Sequence, residues 1–475
     1  MVDQSYEVSS SHGRANSSVR RLQARRVFRQ NTGHMNIWLL KIGEPVPVVA
    51  SFKERLHRCG MLTDYLSEGG HNATWWTSTF DRIKRENLYE RDVVVNPKPG
   101  LTIRLLHSPG YSQSLSLARI RDQRHVAKKF LKHSQGLLPP DLILSAYPTI
   151  DLCKAAIVYG NRHGIPVILD MRDMWPDIIF ESVPRAIRLP ARILTWPMMR
   201  DSRFVCSKAF AITGITEEFV QWGLHRGNRQ RTPLDSSFPL AFSTKVPPAK
   251  DLEAAQRFWD QMGVGQSEQE FIVCFIGTLG HQFDLGPVIH AARILKDAGR
   301  RVRFVICGSG DLLESHRKAV CGDDTVLFPG WIDAAKLYSL LRRASVGLDP
   351  VPDRYDFLST INNKAIEYFS AGLPVISSPK RGVLFELLHR ENCGFSYATG
   401  NAEELALHIS RLMDDPLLLG RMSENSQRSF HSSFDADRVY RGMIKHLEKV
   451  VKIYKGQDHS EESRKKAPVS EVLIP

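Results

Sequence analysis

Two series of short apolar runs, each run separated from the next by a helix-length segment, constrain this chain more than any other feature. In the first half the predicted strands are Met35–Leu40, Ala73–Ser78, Leu101–His107, Leu142–Tyr147, Pro166–Met171 and Ala209–Thr213. In the second half they are Phe271–Gly277, Val302–Gly308, Thr325–Phe328, Ser345–Asp349, Pro374–Ser378 and Gly394–Tyr397. Between them, Leu56, Cys59, Leu62, Tyr65 and Leu66 recur near a helical period, as do Leu285, Val288, Ile289, Ala292 and Leu295. Strands that alternate with helices imply parallel sheets with right-handed crossovers. A chain of 475 residues exceeds one ordinary core. The reading is therefore α/β, with two doubly wound domains facing a central cleft. Ligands of such sheets bind outside the carboxyl ends of the strands.

The expected boundaries are a disordered extension at 1–34, a first domain at 35–240, a linker at 241–268 and a second domain at 269–435. A terminal helix at 436–455 is expected to return to the first domain, and a disordered tail to follow at 456–475. The extension carries six arginines and two acids among Ser, Asn and Gln, with no apolar segment. Translation starting at Met35 is an alternative to Met1. Pro239, Pro247 and Pro248 mark the linker.

The charge balance is +13, which is either a solubilising surface or an attraction to something anionic. The seven cysteines are scattered, with neither C-x-x-C nor zinc-ligand spacing, so a reducing, cytoplasmic compartment is expected. No apolar run reaches the roughly 18–20 residues needed to span a bilayer.

One segment carries most of the chemistry. Leu348-Asp349-Pro350-Val351 ends a strand, and Asn362-Asn363-Lys364 opens the next helix. A helix N-terminus at a strand end favours anions. Glu367, one turn inward, is placed to accept the paired hydroxyls of a ribose. The alternative is that Asn362 is an N-cap and Glu367 a solvated helix residue.

The stretch Asn362-Asn363-Lys364-Ala365-Ile366-Glu367-Tyr368, followed by Gly372-Leu373-Pro374-Val375, resembles the signature of the retaining family-4 glycosyltransferases. Three upstream runs resemble other motifs of that family in the same order: Phe275-Ile276-Gly277-Thr278-Leu279-Gly280, Val305-Ile306-Cys307-Gly308-Ser309-Gly310, and Val326-Leu327-Phe328-Pro329-Gly330-Trp331. In the first half, Gly69-Gly70-His71-Asn72-Ala73-Thr74 is similar to a family strand entry. Arg172-Asp173-Met174-Trp175-Pro176 looks like a subgroup that builds bacterial surface polysaccharides and O-antigen on lipid-linked acceptors.

The resemblance implies a GT-B fold of two Rossmann-like domains, the nucleotide-sugar donor held by the second and the acceptor by the first. It implies retention of configuration and no metal or cofactor. Glu367 is expected on the donor ribose, with Asn363 and Lys364 by the phosphates. Thr278, Gly280, Gly308, Trp331, Ser359 and Arg354 complete the expected donor site. Arg172 and Asp173 are expected to be catalytic, the first on phosphate and the second on a sugar hydroxyl, unless they form a mutual ion pair.

The chain also departs from the pattern. Ser359 stands where the family has a glutamate, and Thr278-Leu279-Gly280-His281 replaces its usual Arg and Lys, so Lys364 and Arg354 are the candidate substitutes. The acceptor loop reads Gly43-Glu44-Pro45-Val46-Pro47.

Arg185–Arg200 mixes arginines with Leu194, Trp196, Met198 and Met199. It reads either as a surface for an anionic bilayer or as an ordinary amphipathic helix. No aromatic-interleaved basic patch suggests nucleic acid. The expected activity is transfer of a UDP- or GDP-linked sugar to an oligosaccharide or lipid-linked acceptor, at the inner face of the membrane. The alternatives are a nucleotide-sugar epimerase or a non-catalytic sugar-nucleotide-binding protein.

Overall fold

A computed structural model describes residues 34–47, 56–82, 84–113, 116–182, 184, 186, 188–267, 270–320 and 322–466. The extension up to residue 33 and the tail beyond Lys466 lie outside them.

The strands are β1 (Asn36–Leu40), β2 (Asn72–Ser78), β3 (Phe80–Asp81), β4 (Glu86–Asn87), β5 (Val93–Lys98), β6 (Leu101–Leu106), β7 (Leu142–Tyr147), β8 (Val167–Met171), β9 (Ala211–Gly214), β10 (Ser236–Ser237), β11 (Phe271–Ile276), β12 (Val302–Cys307), β13 (Val326–Gly330), β14 (Val346–Pro350), β15 (Val375–Ser378) and β16 (Gly394–Ser396). The first sheet runs β10-β9-β8-β7-β1-β2-β6-β5 and the second β13-β12-β11-β14-β15-β16. The second sheet is parallel throughout. In the first only β5 is antiparallel. It lies at the edge, where Pro97 removes no ladder bond that a neighbour needs.

Each sheet reverses its winding next to its first strand. The switch falls between β1 and β7 in the first domain and between β11 and β14 in the second. A crevice opens at such a point because the flanking helices leave on opposite faces. It lies beyond the strands' carboxyl ends, so it is bounded by Lys41–Pro47 and the Tyr147 turn in one domain. In the other it is bounded by Gly277–Phe283 and Val351–Asn362.

Both sheets are covered on two faces. One face of the first sheet packs Trp38, Trp76, Phe130 and Tyr159 edge to face or tilted, with ring centroids 5.0–6.1 Å apart. On the opposite face Ile37, Leu39 and Trp75 share a core with Tyr440, Met443, Leu447 and Val450 of the terminal helix. The expected return of that helix to the first domain is thus observed. The helix spans Ala436–Lys466, longer than the predicted 436–455. Gly456 lies inside it; one glycine costs only about 1 kcal/mol in a helix, and the preceding turns up to Val451 are packed in the core.

The expected linker is only partly one. Ala249–Gln261 is a helix whose Trp259 is fully buried against Val264, Ile272 and Leu340 of the second domain. Its Nε1 donates to Lys336 O at 2.9 Å. Pro247 and Pro248, two of the prolines read as a linker signal, stand just before this helix, where proline costs no helical hydrogen bond, while Pro239 lies upstream. The domains are joined by two crossings that run side by side. Phe242 N donates to Phe434 O at 3.0 Å, and Ala436 N to Phe242 O at 3.1 Å.

In the second domain the turns after β11 and β12 pack backbone on backbone. Gly277 N donates to Cys307 O, and Leu279 N to Ser309 O. Gly308 has φ 144°, and a Cβ there would lie 1.8 Å from Gly277 O. Gly308→Ala is therefore expected to cost about 3 kcal/mol or more in urea unfolding. Gly442→Ala, on the open face of the terminal helix, should instead gain about 0.5–1 kcal/mol. Equal effects of the two substitutions would contradict this packing.

Candidate active site

The first domain's cleft edge is built on a buried carboxylate. Asp170, at the end of β8, is fully buried and accepts from Arg58 Nε at 3.0 Å and Nη2 at 3.1 Å. It also accepts from Arg172 Nε at 2.6 Å and Thr213 Oγ1 at 2.9 Å. Burial alone would raise its carboxyl, but Arg58 and Arg172 outweigh that and hold it well below the usual carboxylate range. Arg172 Nη1 pairs with Glu44, whose other oxygen accepts from Cys59 N at 2.8 Å. Arg58 Nη1 donates to Phe238 O and Pro239 O. The network therefore ties together the β1 loop, β8, the helix Arg58–Glu68 and the approach to the domain crossing.

The guanidinium of Arg172 is thus paired with Asp170 and Glu44, and not with Asp173. Asp170, Arg58 and Glu44 were not singled out in the sequence. Asp170 sits inside an apolar run that reads as plain strand, and its partners are far apart in the chain.

Asp173 follows on the loop that leaves β8. Its Oδ1 accepts from Met174 N at 2.7 Å, which turns the chain locally. The rest of the loop is pinned. Tyr147 Oη donates to Trp175 O, Arg119 lies 4.8 Å over the Trp175 ring, and Asp177 accepts from Trp222 Nε1 at 2.9 Å. Burial pushes the Asp173 carboxyl up to about 6, and Asp356 of the other domain adds to this, against the Met174 N–H, Lys41 and Arg119. Asp173 is thus within electrostatic reach of Asp356 of the other domain. The domains also touch directly, where Thr216 Oγ1 donates to Ser359 O at 2.7 Å.

The second domain repeats the device. Asp349, fully buried at the end of β14, accepts from Lys364 Nζ at 3.3 Å and from Asn362 Nδ2 at 2.5 Å. Lys364 Nζ lies 3.3 Å from the Phe283 ring centroid. Burial lowers its pKa, and Asp349 opposes that. The stem of Lys364 runs under the β11 turn, since a Cβ on Gly277 would lie 3.3 Å from its Cε.

The helix Asn363–Ser370 is capped by Asn362, whose Oδ1 accepts from Lys364 N and Ala365 N. Those two N–H groups are spent on the cap, so the anion preference of this terminus rests on its dipole, Asn363 and Lys364. Asn363 is exposed. Glu367 is 4% exposed, and is therefore not the solvated residue of the alternative reading.

The other expected donor residues divide. Thr278, Gly280, Gly308 and Trp331 lie on the turns after β11, β12 and β13, and Trp331 is exposed at the rim. Gly308 N donates to Gly330 O, which brings the last two turns together. Ser359 is buried, and its carbonyl makes the interdomain contact. Arg354 is held by both oxygens of Asp356 and stacks on Phe357. Beside Asp349 and Asn362 lies a small pocket of about 10 Å³ that Ser377, Ser378 and Thr360 also line. Among the described residues no group of three His, Cys, Asp or Glu is placed to hold a metal ion.

Residues 270–415 match the family described as glycosyl transferases group 1. The amylovoran biosynthesis glycosyltransferase AmsK of Erwinia amylovora is 27% identical over 186 residues, 38% of this chain and 46% of that protein. The alpha-D-kanosaminyltransferase of Streptomyces kanamyceticus is 28% identical over 159 residues, 33% of this chain and 39% of that protein. The aligned part thus spans less than half the length of these curated relatives.

Solved structures align over nearly the whole fold. A sucrose-phosphate synthase from Thermosynechococcus elongatus has TM-score 0.67 at 17% identity, covering 88% of this chain and 99% of that one. HepE of Anabaena, solved with UDP-glucose, has TM-score 0.59 at 15% identity, covering 88% and 100%. WaaG, a lipopolysaccharide-biosynthesis glycosyltransferase, has TM-score 0.57 at 13% identity, covering 89% and 100%. The fold is GT-B, two Rossmann-like domains on parallel sheets.

The network makes a prediction about Arg172. Removing one member of a buried ion cluster strands the others, so Arg172→Ala should lower stability by about 3–5 kcal/mol in chemical unfolding. A loss of turnover with unchanged stability would instead favour the phosphate-binding role.

Proposed function

We propose that this protein is a retaining glycosyltransferase that moves a sugar from a UDP- or GDP-linked donor to a lipid-linked glycan, in the assembly of a surface polysaccharide or O-antigen at the cytoplasmic face of the membrane. One observation carries the reading. At the switch point of the second sheet, the glycine turn after β11, the Asp349–Lys364 pair and the buried Glu367 converge at one helix start. The match of residues 270–415 to glycosyl transferases group 1 falls on this same region. An amylovoran biosynthesis glycosyltransferase and an alpha-D-kanosaminyltransferase among the relatives, and a like-folded protein solved with UDP-glucose, support the class of reaction.

In this reading the donor diphosphate rests on the Gly277–Gly280 turn above Lys364, whose cation offsets the leaving charge in place of a metal. Glu367 accepts the ribose hydroxyls and Trp331 walls the base. Asp173 orients the acceptor hydroxyl, and Arg172 acts through Asp170 and Glu44 as a positioning residue. Placing two substrates in one water-poor cleft supplies much of the acceleration.

Two measurements test the roles. Glu367→Gln keeps the shape and removes the charge, so donor affinity should fall about 10–100-fold with the melting temperature little changed. Donor binding equal to wild type would remove Glu367 from the site. Asp173 must be ionised to accept a hydroxyl proton, so transfer should rise with pH through about 6 and then level off. Asp173→Asn should be slow and lack that limb. The same group favours folding in its protonated form, a contribution complete below 3.8 and lost as pH rises through about 6. An unchanged acid limb in the variant would assign it to another group.

A further inference from the structure

The helix Arg188–Lys208 is divided in its environment. Its C-terminal half is embedded, with Ser202, Val205 and Cys206 buried. Its N-terminal half stands in solvent although it is apolar. Leu189 is 69% exposed, Ile193 70% and Trp196 60%. These three recur at four and three residues and so share one face. Arg192 and Arg200 border that face and Arg188 stands at its start, all exposed. Arg200 lies 5.5 Å over the Trp196 ring. No acid occurs from Arg188 to Arg200, and the next one, Asp201, accepts from Lys154 Nζ at 2.9 Å on one oxygen and lies 3.4 Å from Arg200 Nη2 on the other.

Leu194, 76% exposed, adjoins them, and the remaining exposed large apolar residues among those described are scattered along the chain, whereas these four lie within about two turns. A contiguous exposed apolar face marks an interaction site.

We infer that this face docks on an anionic lipid bilayer, with Leu189, Ile193 and Trp196 entering the headgroup boundary and the arginines pairing with lipid phosphates. Three features favour a bilayer over other occupants. Apolar tips flanked by long cations on one helix face suit an interface that is oily below and anionic above. Trp196 is of the type enriched at that level. A symmetric contact with a second copy would bring Arg192 and Arg200 against their own counterparts, because a two-fold contact pairs the same patch with itself.

The face is coupled to the cleft. Tyr147 Oη bonds Ser202 Oγ at 2.8 Å in the embedded half, and also donates to Trp175 O on the Asp173 loop. Docking therefore sets the acceptor loop relative to the membrane surface. This deepens the proposed lipid-linked acceptor, yet binding is measured without any sugar.

The test uses the full chain with phosphatidylcholine vesicles, with and without phosphatidylglycerol. The wild type should co-sediment with the anionic vesicles, less so at high salt. The double variant Ile193→Ser/Trp196→Ser should partition at least about tenfold more weakly. Its turnover of a soluble oligosaccharide acceptor should match wild type, which separates this inference from the catalytic one. Trp196→Phe should keep binding but lose the blue shift of tryptophan emission on vesicle addition. Equal sedimentation of double variant and wild type would overturn the inference. So would the absence of vesicle binding together with a self-association that the double variant abolishes.

Discussion

A buried aspartate at the end of a parallel strand, satisfied by cations brought from elsewhere in the chain, is the device on which both sides of the cleft depend. Asp170 does this at the end of β8 and Asp349 at the end of β14, and both are fully buried. A lone carboxylate at such a depth would be protonated or would open the structure. Each instead fixes the loops around it. Asp170 gathers Arg58, Arg172 and, through Arg172, Glu44. Asp349 holds Lys364 and the cap residue Asn362. Such pairs add little net stability, but they are costly to break and leave few alternative arrangements. They suit sites where loops must be positioned more than flexible.

The architecture was legible because period carries it. Parallel strands buried on both faces read as apolar runs, and twelve predicted strands correspond to strands found within a few residues. The donor-side motifs were legible because close backbone contact demands glycine, as at Gly308, and because Asn362 is a strong cap. The helix Ala249–Gln261 was missed because it is charged on its open side and its buried contacts reduce to Ala255 and Trp259. β5 was missed because an edge strand with Pro97 alternates weakly.

The site was less legible than the fold. Arg172 and Asp173 stand side by side in the sequence and invite a shared role. The structure sends one inward to Asp170 and leaves the other at the cleft. That division rests on Arg58, Glu44 and Asp170, whose separations in the chain no local pattern encodes. Likewise, Ser359 in place of the family's glutamate reads as a loss, yet its carbonyl receives Thr216 across the domain boundary. The cleft is thus closed on one side by a hydrogen bond, and Asp173 and Asp356, two acids from opposite domains, lie within electrostatic reach of each other.

The central claim is that the switch point of the second sheet is the nucleotide site. A crystal structure of the complex with UDP or GDP tests it most directly. The account predicts the diphosphate on the Gly277–Gly280 turn within reach of Lys364 Nζ, with the ribose hydroxyls on Glu367. A nucleotide bound elsewhere, or no binding of either at millimolar concentration, would contradict it.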